Sequence, residues 1–148
     1  MRALSWAATL LSLAVAGRLP AQRAAAADSS LPPVTLLYQN FPNPFPAEGQ
    51  DATCLSFDLA VAGEVQLDIL DVRGSPVRHL VPGPSLGPML APGRYGRSVA
   101  GGAPCDPRLM WDGRADDGRE VPAGVYLYKL RASGVTQFRR IVFRGRNS

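Results

Sequence analysis

The chain has 148 residues, 46% hydrophobic and 19% charged, with 15 glycines and 14 prolines. That length holds one domain with a real core and little else, and after the first thirty residues no amphipathic helical period appears. A formal charge of +4 falls to +1 without the three arginines of the first 27 residues, and a net charge so near zero gives little attraction for phosphate, so nucleic acid is not expected as a partner.

Arg2 is followed by an apolar run from Ala3 to Ala16, "ALSWAATLLSLAVA", and then by "AQRAAAAD". A positive start, a short apolar centre and small residues after it predict a secretory signal peptide over residues 1–27. Cleavage is expected near Ala26 or Ala27, with an earlier cut near Gly17 as the alternative. The run is short for a bilayer, and nothing later is apolar enough, so no transmembrane span is expected after cleavage. Residues 28–35 read as a short linker. Such a chain is exported, to the periplasm, the cell surface or the medium. Loss of Arg2, Arg18 and Arg23 with the leader leaves 13 basic residues against 12 acidic. From Ala24 to Val72 there are seven acids and no Lys or Arg; from Val121 onward there are six basic residues and no acid. Since the basic residues lie in strand-like sequence, early acidic and late basic strands are expected to neutralise one another on one small body.

"YQNFPNPF", Tyr38 to Phe45, precedes another proline, Pro46. Each proline lacks a backbone donor, and the residue before each is pushed to an extended conformation. A first or edge strand is predicted, with Tyr38, Phe41 and Phe45 lying over the open end of a sandwich as a staple. "TCLSFDLA" (Thr53 to Ala60) puts Leu55, Phe57 and Leu59 on one face, and "EVQLDIL" (Glu64 to Leu70) does the same with Val65, Leu67 and Ile69. The short "VAG" between them predicts an antiparallel hairpin. Asp71 to Gly74 is a turn signal, and "SPVRHLV" reads as the next strand.

From Pro82 to Pro107 the sequence reads as a loop-like, mobile insertion, with a possible strand at "APGRYGRSV". Order resumes with a short strand ending at Trp111 and turns at Asp112-Gly113 and Asp117-Gly118. "GVYLYKLRA" and "VTQFRRIVF", split by Ser133-Gly134, predict a final hairpin. Seven or so short strands over residues 36–144 predict an all-β fold, an antiparallel immunoglobulin-like β-sandwich, with residues 145–148 as a tail. Cys54 and Cys105 are an even number in a chain bound for an oxidising compartment. A bridge would close a loop worth about 4 kcal/mol in the chain-entropy treatment; the sequence leaves open a bridge or two separate thiols.

Seven pieces stand in a consistent order: Phe41 to Phe45, Thr53 to Leu59, Gly63 to Val65, Leu70 to Gly74, Trp111 to Arg114, Gly124 to Tyr126, and Arg139 to Arg144. Together they resemble the C-terminal sorting domains of type IX secretion cargo. They are equally similar to the immunoglobulin-like domain of flagellar hook-capping proteins. The motif positions are Tyr38, Pro42, Asn43, Pro44, Phe45, Phe57, Asp71, Gly74, Trp111, Asp112, Gly113, Gly124 and Tyr126. The resemblance implies a non-enzymatic β-sandwich without cofactors, recognised by a protein partner in the secretion machinery or at the cell surface. Arg139, Arg140 and Arg144 on the last strand are then the candidate recognition residues, by strand addition or by charge. The second reading is a stand-alone extracellular binding or assembly module that uses residues 82–107 as its contact. The sequence departs from the family pattern in the length of that insertion, in the "GRNS" after the last strand, and in the short interval between leader and Tyr38.

Other motifs point to chemistry only weakly. "GPSLG", Gly83 to Gly87, has the spacing of a serine-hydrolase elbow, but Pro88 and Pro92 oppose the helix it requires and the single histidine, His79, precedes it. Asp112, Asp116, Asp117 and Glu120 are clustered without the alternating spacing of a calcium loop, and turn chemistry is the expected use. His79 has no partner motif and is expected to be an ordinary strand histidine. Tyr126 and Tyr128, on the face of Leu130, are expected in the core. No metal or cofactor is expected.

Overall fold

Short apolar runs broken by proline and glycine give short strands. The computed structural model describes residues 31–97 and 104–146, so the expected leader and the end of the tail lie outside the described residues. In chain order the strands are β1 (Leu36–Leu37), β2 (Thr53–Cys54), β3 (Phe57–Leu59), β4 (Gly63–Leu70) and β5 (Pro76–Val81). They continue with β6 (Met89–Leu90), β7 (Gly93–Tyr95), β8 (Met110–Trp111), β9 (Gly124–Ala132) and β10 (Val135–Phe143). A 3-10 turn, Pro107–Leu109, precedes β8, with Asp106 accepting from the Arg108 backbone N–H at its start.

The main sheet has the order β10-β9-β4-β5, with β6 paired to the start of β4. A second sheet has the order β1-β3-β7, and β2 pairs with β8; every strand pair is antiparallel. One core cluster joins the layers: Leu37, Leu55, Phe57 and Leu59 from one side, Val65, Leu67, Ile69, Tyr128, Leu130, Ile141 and Phe143 from the other. Each such side chain, fully buried, contributes about 1.5–3 kcal/mol of transfer free energy. The fold is all-β and antiparallel, with sandwich-like layers.

The last hairpin lies where alternation predicts it, in register from Val135↔Ala132 to Phe143↔Gly124. Ser133 and Gly134 carry φ of 51° and 75°, the two positive values that a tight two-residue turn requires. The Asp71 turn also forms: its Oδ1 accepts from the N–H groups of Arg73 (2.9 Å) and Ser75 (2.8 Å).

Three expectations are corrected. Thr53 to Ala60 is not one strand: Thr53–Cys54 pairs with β8 and Phe57–Leu59 with β1 and β7. Nor does it form a hairpin with β4, which belongs to the other sheet. Both runs have a greasy face, and facing each other across a core buries both, whereas lying side by side would leave each in need of another cover. The 82–107 stretch is not simply a loop. It holds β6 and β7, buries Leu86 and Leu90, and stacks Tyr95 on Phe57 with ring centroids 4.9 Å apart. Residues 98–103 of that stretch lie outside the described residues.

Candidate recognition surface

β10 ends the main sheet, so one rim of its backbone has no neighbouring strand. Residues 39–45 close the 140–144 end of that rim, largely with amide side chains. Asn43 donates from Nδ2 to the Arg140 carbonyl (3.0 Å) and accepts at Oδ1 from the Val142 N–H (2.9 Å). Its side chain thus stands in for a peptide group of a missing strand. Gln137 returns the arrangement from β10: Oε1 accepts from the Leu37 N–H (2.8 Å) and Nε2 donates to the Thr35 carbonyl (3.0 Å). Gln39 Nε2 adds a second bond to the Arg140 carbonyl, 2.9 Å. Phe45 finishes the seam with true backbone bonds, its N–H to Val142 O (2.9 Å) and its carbonyl from the Arg144 N–H (2.7 Å). Paired amides satisfy edge groups that otherwise invite another chain.

The staple is therefore real, but its aromatics do not act together as expected. Phe45 is fully buried, Tyr38 half-buried, and Phe41 is 71% exposed. Phe41 is held by its backbone instead, exchanging bonds with Cys54 of 3.1 and 2.8 Å. Pro42 is buried and its carbonyl accepts from the buried Thr53 hydroxyl at 2.7 Å; Pro44 is exposed.

The remaining motif residues converge on one aromatic cluster. Ring centroids lie 5.4 Å apart for Phe45–Trp111, 5.0 Å for Phe45–Phe143 and 5.2 Å for Trp111–Tyr126. Trp111 Nε1 donates to the Arg114 carbonyl (2.9 Å) and Tyr126 Oη to the Pro122 carbonyl (2.7 Å). Gly113 has φ of +80°, and a Cβ there would lie 2.4 Å from Phe143 Cζ. The glycine of the Trp-Asp-Gly-Arg piece is thus required twice, for its backbone and for the ring above it. Asp112 accepts from the Arg114 N–H at 3.2 Å. Gly124 opens β9, and Gly74 closes the Asp71 turn at φ 87°. Phe57 is buried in β3. These positions build the fold. Burial raises the Tyr126 phenol, with Asp71 adding to the effect. Deeper burial raises Tyr128 much further, partly offset by a backbone hydrogen bond and Arg139.

The three candidate arginines do not share a face. Arg140 is exposed on the outer face of the sheet and Arg144 is exposed just past the end of β10, whereas Arg139 lies on the alternate side of the strand, half-buried, its Nη1 donating to the Phe138 carbonyl at 2.9 Å. Alternation instead brings two β9 residues beside Arg140: Thr136 stands opposite Arg131, Phe138 opposite Lys129, and Arg140 opposite Leu127. Lys129 and Arg131 were overlooked in the sequence, although "GVYLYKLRA" places them opposite the core tyrosines.

Early acids do not neutralise these late cations. Arg78, Arg97, Arg108, Arg114, Arg119 and Arg146 each lie beside an aspartate. Among the described residues, Lys129, Arg131, Arg140 and Arg144 have no such partner. Short-range pairs take three of the aspartates: Asp106–Arg108, Asp112–Arg114 and Asp117–Arg119 are each two residues apart, and the β9 and β10 charges stay unmatched.

Cys54 and Cys105 form a disulfide with a Cα separation of 6.0 Å. Beside it is a hollow of about 540 Å³, lined by Phe41, Ala52, Arg97, Pro104 and Met110 among others. Arg97 lies over the Tyr38 ring, 3.8 Å from its centroid, and pairs with Asp58 at 2.9 Å. Asp106, buried next to the bridge, is gripped by the Arg108 guanidinium at 2.7–3.1 Å, which holds its carboxyl below the ordinary value.

His79 is a satisfied strand histidine: its Nδ1 is 2.7 Å from the buried Asp68 carboxylate, and Nε2 is 3.7 Å from Asp116. Ser85 lines the same shallow cleft of about 280 Å³. Both imidazole nitrogens nonetheless face carboxylates, and Gly83 and Leu86 close a tight turn that leads into β6 rather than a helix. An elbow with a paired base is not assembled there. The Asp112–Glu120 carboxylates accept backbone N–H groups of Arg114, His79, Arg119 and Arg146. Among the described residues no group of three potential metal ligands converges, and no helix is long and apolar enough to cross a membrane.

The architecture defines a small antiparallel β-protein whose accessible chemistry lies on its surfaces. No protein-family model and no curated protein sequence matches the chain.

Proposed function

We propose that this is an exported, non-catalytic module with an immunoglobulin-like sandwich, resembling the C-terminal sorting domains of type IX secretion cargo and recognised through its last strand. One observation carries the reading: Arg140 of β10 and Arg144 just after it are exposed to solvent without acid partners, while the backbone rim beside them, at residues 140–144, is already closed by residues 39–45. Strand addition is blocked along that stretch, so recognition by these arginines runs through side-chain charge, which sets partner choice and encounter rate. An acidic protein surface in the secretion machinery or at the cell surface is the matching partner. Residues 29–148 fused behind an exported reporter, in a host with that machinery, should carry the reporter outside the cell. Arg140→Gln with Arg144→Gln should hold it back; a reporter that stays periplasmic with the unaltered module rejects the reading.

The hollow beside the disulfide favours a second reading, a stand-alone extracellular binding or assembly module. There the 82–107 stretch contributes Arg97, Pro104 and Cys105 to an apolar concavity with Phe41 exposed at its wall. Replacing Phe41 and Met110 by serine should abolish capture of a partner on this reading, with thermal unfolding nearly unchanged. Capture that survives both changes removes it.

A further inference from the structure

The outer face of the β4–β9–β10 sheet combines three features that, Arg140 apart, the recognition reading does not use. The first is unmatched positive charge: Lys129 and Arg131 of β9 lie directly across from Phe138 and Thr136 of β10, with Arg140 one step along. The acid nearest the centre of the face, Asp68 opposite Lys129, is 2% exposed and already held by Gln66 Nε2 and His79 Nδ1, both at 2.7 Å. The second is an open polar trough of about 410 Å³ at one end of this face, lined by Glu64, Gln66, Arg131, Ser133, Gly134 and Thr136. The third is an aromatic platform: Phe138 is 48% exposed and sits between the trough and Arg140.

We propose that this face binds an acidic polysaccharide. A sugar ring has a flat C–H face bordered by hydroxyls, and an acidic sugar adds a carboxylate. The Phe138 ring suits the C–H face. Glu64, Gln66 and Thr136 supply acceptors and donors for hydroxyls in the adjoining trough. Arg131 and Lys129 take the carboxylate by charge-assisted hydrogen bonds. Same-face residues along a strand are about 7 Å apart, so successive anionic groups of an extended polymer meet successive cations. The polar trough, with the Glu64 carboxylate in its wall, suits hydroxyls better than a bare lipid surface or the phosphate carried at every step of a nucleic acid.

The test is affinity electrophoresis of the full chain in native gels containing polygalacturonate, with neutral dextran as control. Polygalacturonate should retard the protein in a salt-dependent way, and dextran should not. Lys129→Gln with Arg131→Gln should weaken retention about tenfold, and Phe138→Ala several-fold, whereas Arg73→Gln, on the Asp71 turn, should leave it unchanged. Should the double variant fail to fold, Arg131→Gln alone carries the same expectation, since that side chain is exposed. No retention by polygalacturonate overturns the proposal. So does a single-stranded oligonucleotide that competes equally at matched charge, or folded variants that bind like the unaltered protein. Neither Lys129 nor Arg131 enters the sorting test, so the two proposals fail separately.

Discussion

The β2–β8 ladder divides two regions that solve the same problem differently. On its inner side Thr53 and Trp111 are buried, and Trp111 meets Phe45, Tyr126 and Phe143 in a close-packed cluster. On its outer side Cys54 and the partly exposed Met110 border a hollow, and the neighbourhood is held by a disulfide and by the Asp58–Arg97 and Asp106–Arg108 pairs. A two-residue ladder has too little backbone pairing to stand alone. Inside, area and ring packing hold it; outside, where water reaches, covalent and ionic ties replace burial.

Truncating the inner side should therefore cost most. Trp111→Ala leaves a cavity among three rings and should destabilise by about 3–5 kcal/mol, measured by urea unfolding. An effect under about 1 kcal/mol would mean that the cluster is not the anchor. On the outer side, Cys54→Ser with Cys105→Ser opens a loop spanning 51 residues and should cost about 2–4 kcal/mol. If that loss exceeds the Trp111→Ala loss, the order of the two regions is reversed. Asn43→Ala removes both edge bonds to β10 and should cost about 1–2 kcal/mol; faster amide exchange at Val142 but not at Tyr128 would localise the damage to the rim. The smallest effect is acid-dependent. Asp106 has its folded-state value held below 3.8, mainly by the Arg108 side chain. Its contribution is complete above that value and disappears as pH falls further, through the folded value. Thermal unfolding of Asp106→Asn should accordingly lose part of the steep decline seen below about pH 4; an unchanged acid limb would show that the pair contributes nothing.

The inner region was largely legible in the sequence, because alternation is a local signal. "GVYLYKLRA" and "VTQFRRIVF" specify faces, and Ser133-Gly134 the turn between them. The outer region was not, because what organises it is distant. Nothing local tells that Thr53 to Ala60 divides between two ladders, or that Leu86, Leu90 and Tyr95 anchor a proline-rich stretch. Asn43 reads as one more polar residue among prolines until Arg140 and Val142 stand beside it. Of the candidate recognition residues, Arg140 and Arg144 keep their place at the surface. Arg139 does not share their face, which alternation alone implied, and Lys129 and Arg131 join it for the same reason.

The amide seam also sets a timetable for synthesis. Asn43 leaves the ribosome 99 residues ahead of Val142, the backbone group it must satisfy. Phe41 can already meet Cys54, but the Asn43 side chain has no backbone to satisfy until that late strand emerges. Synthesis order thus makes the Asn43 seam one of the last contacts of this domain to form, after ladders whose two halves have both been made.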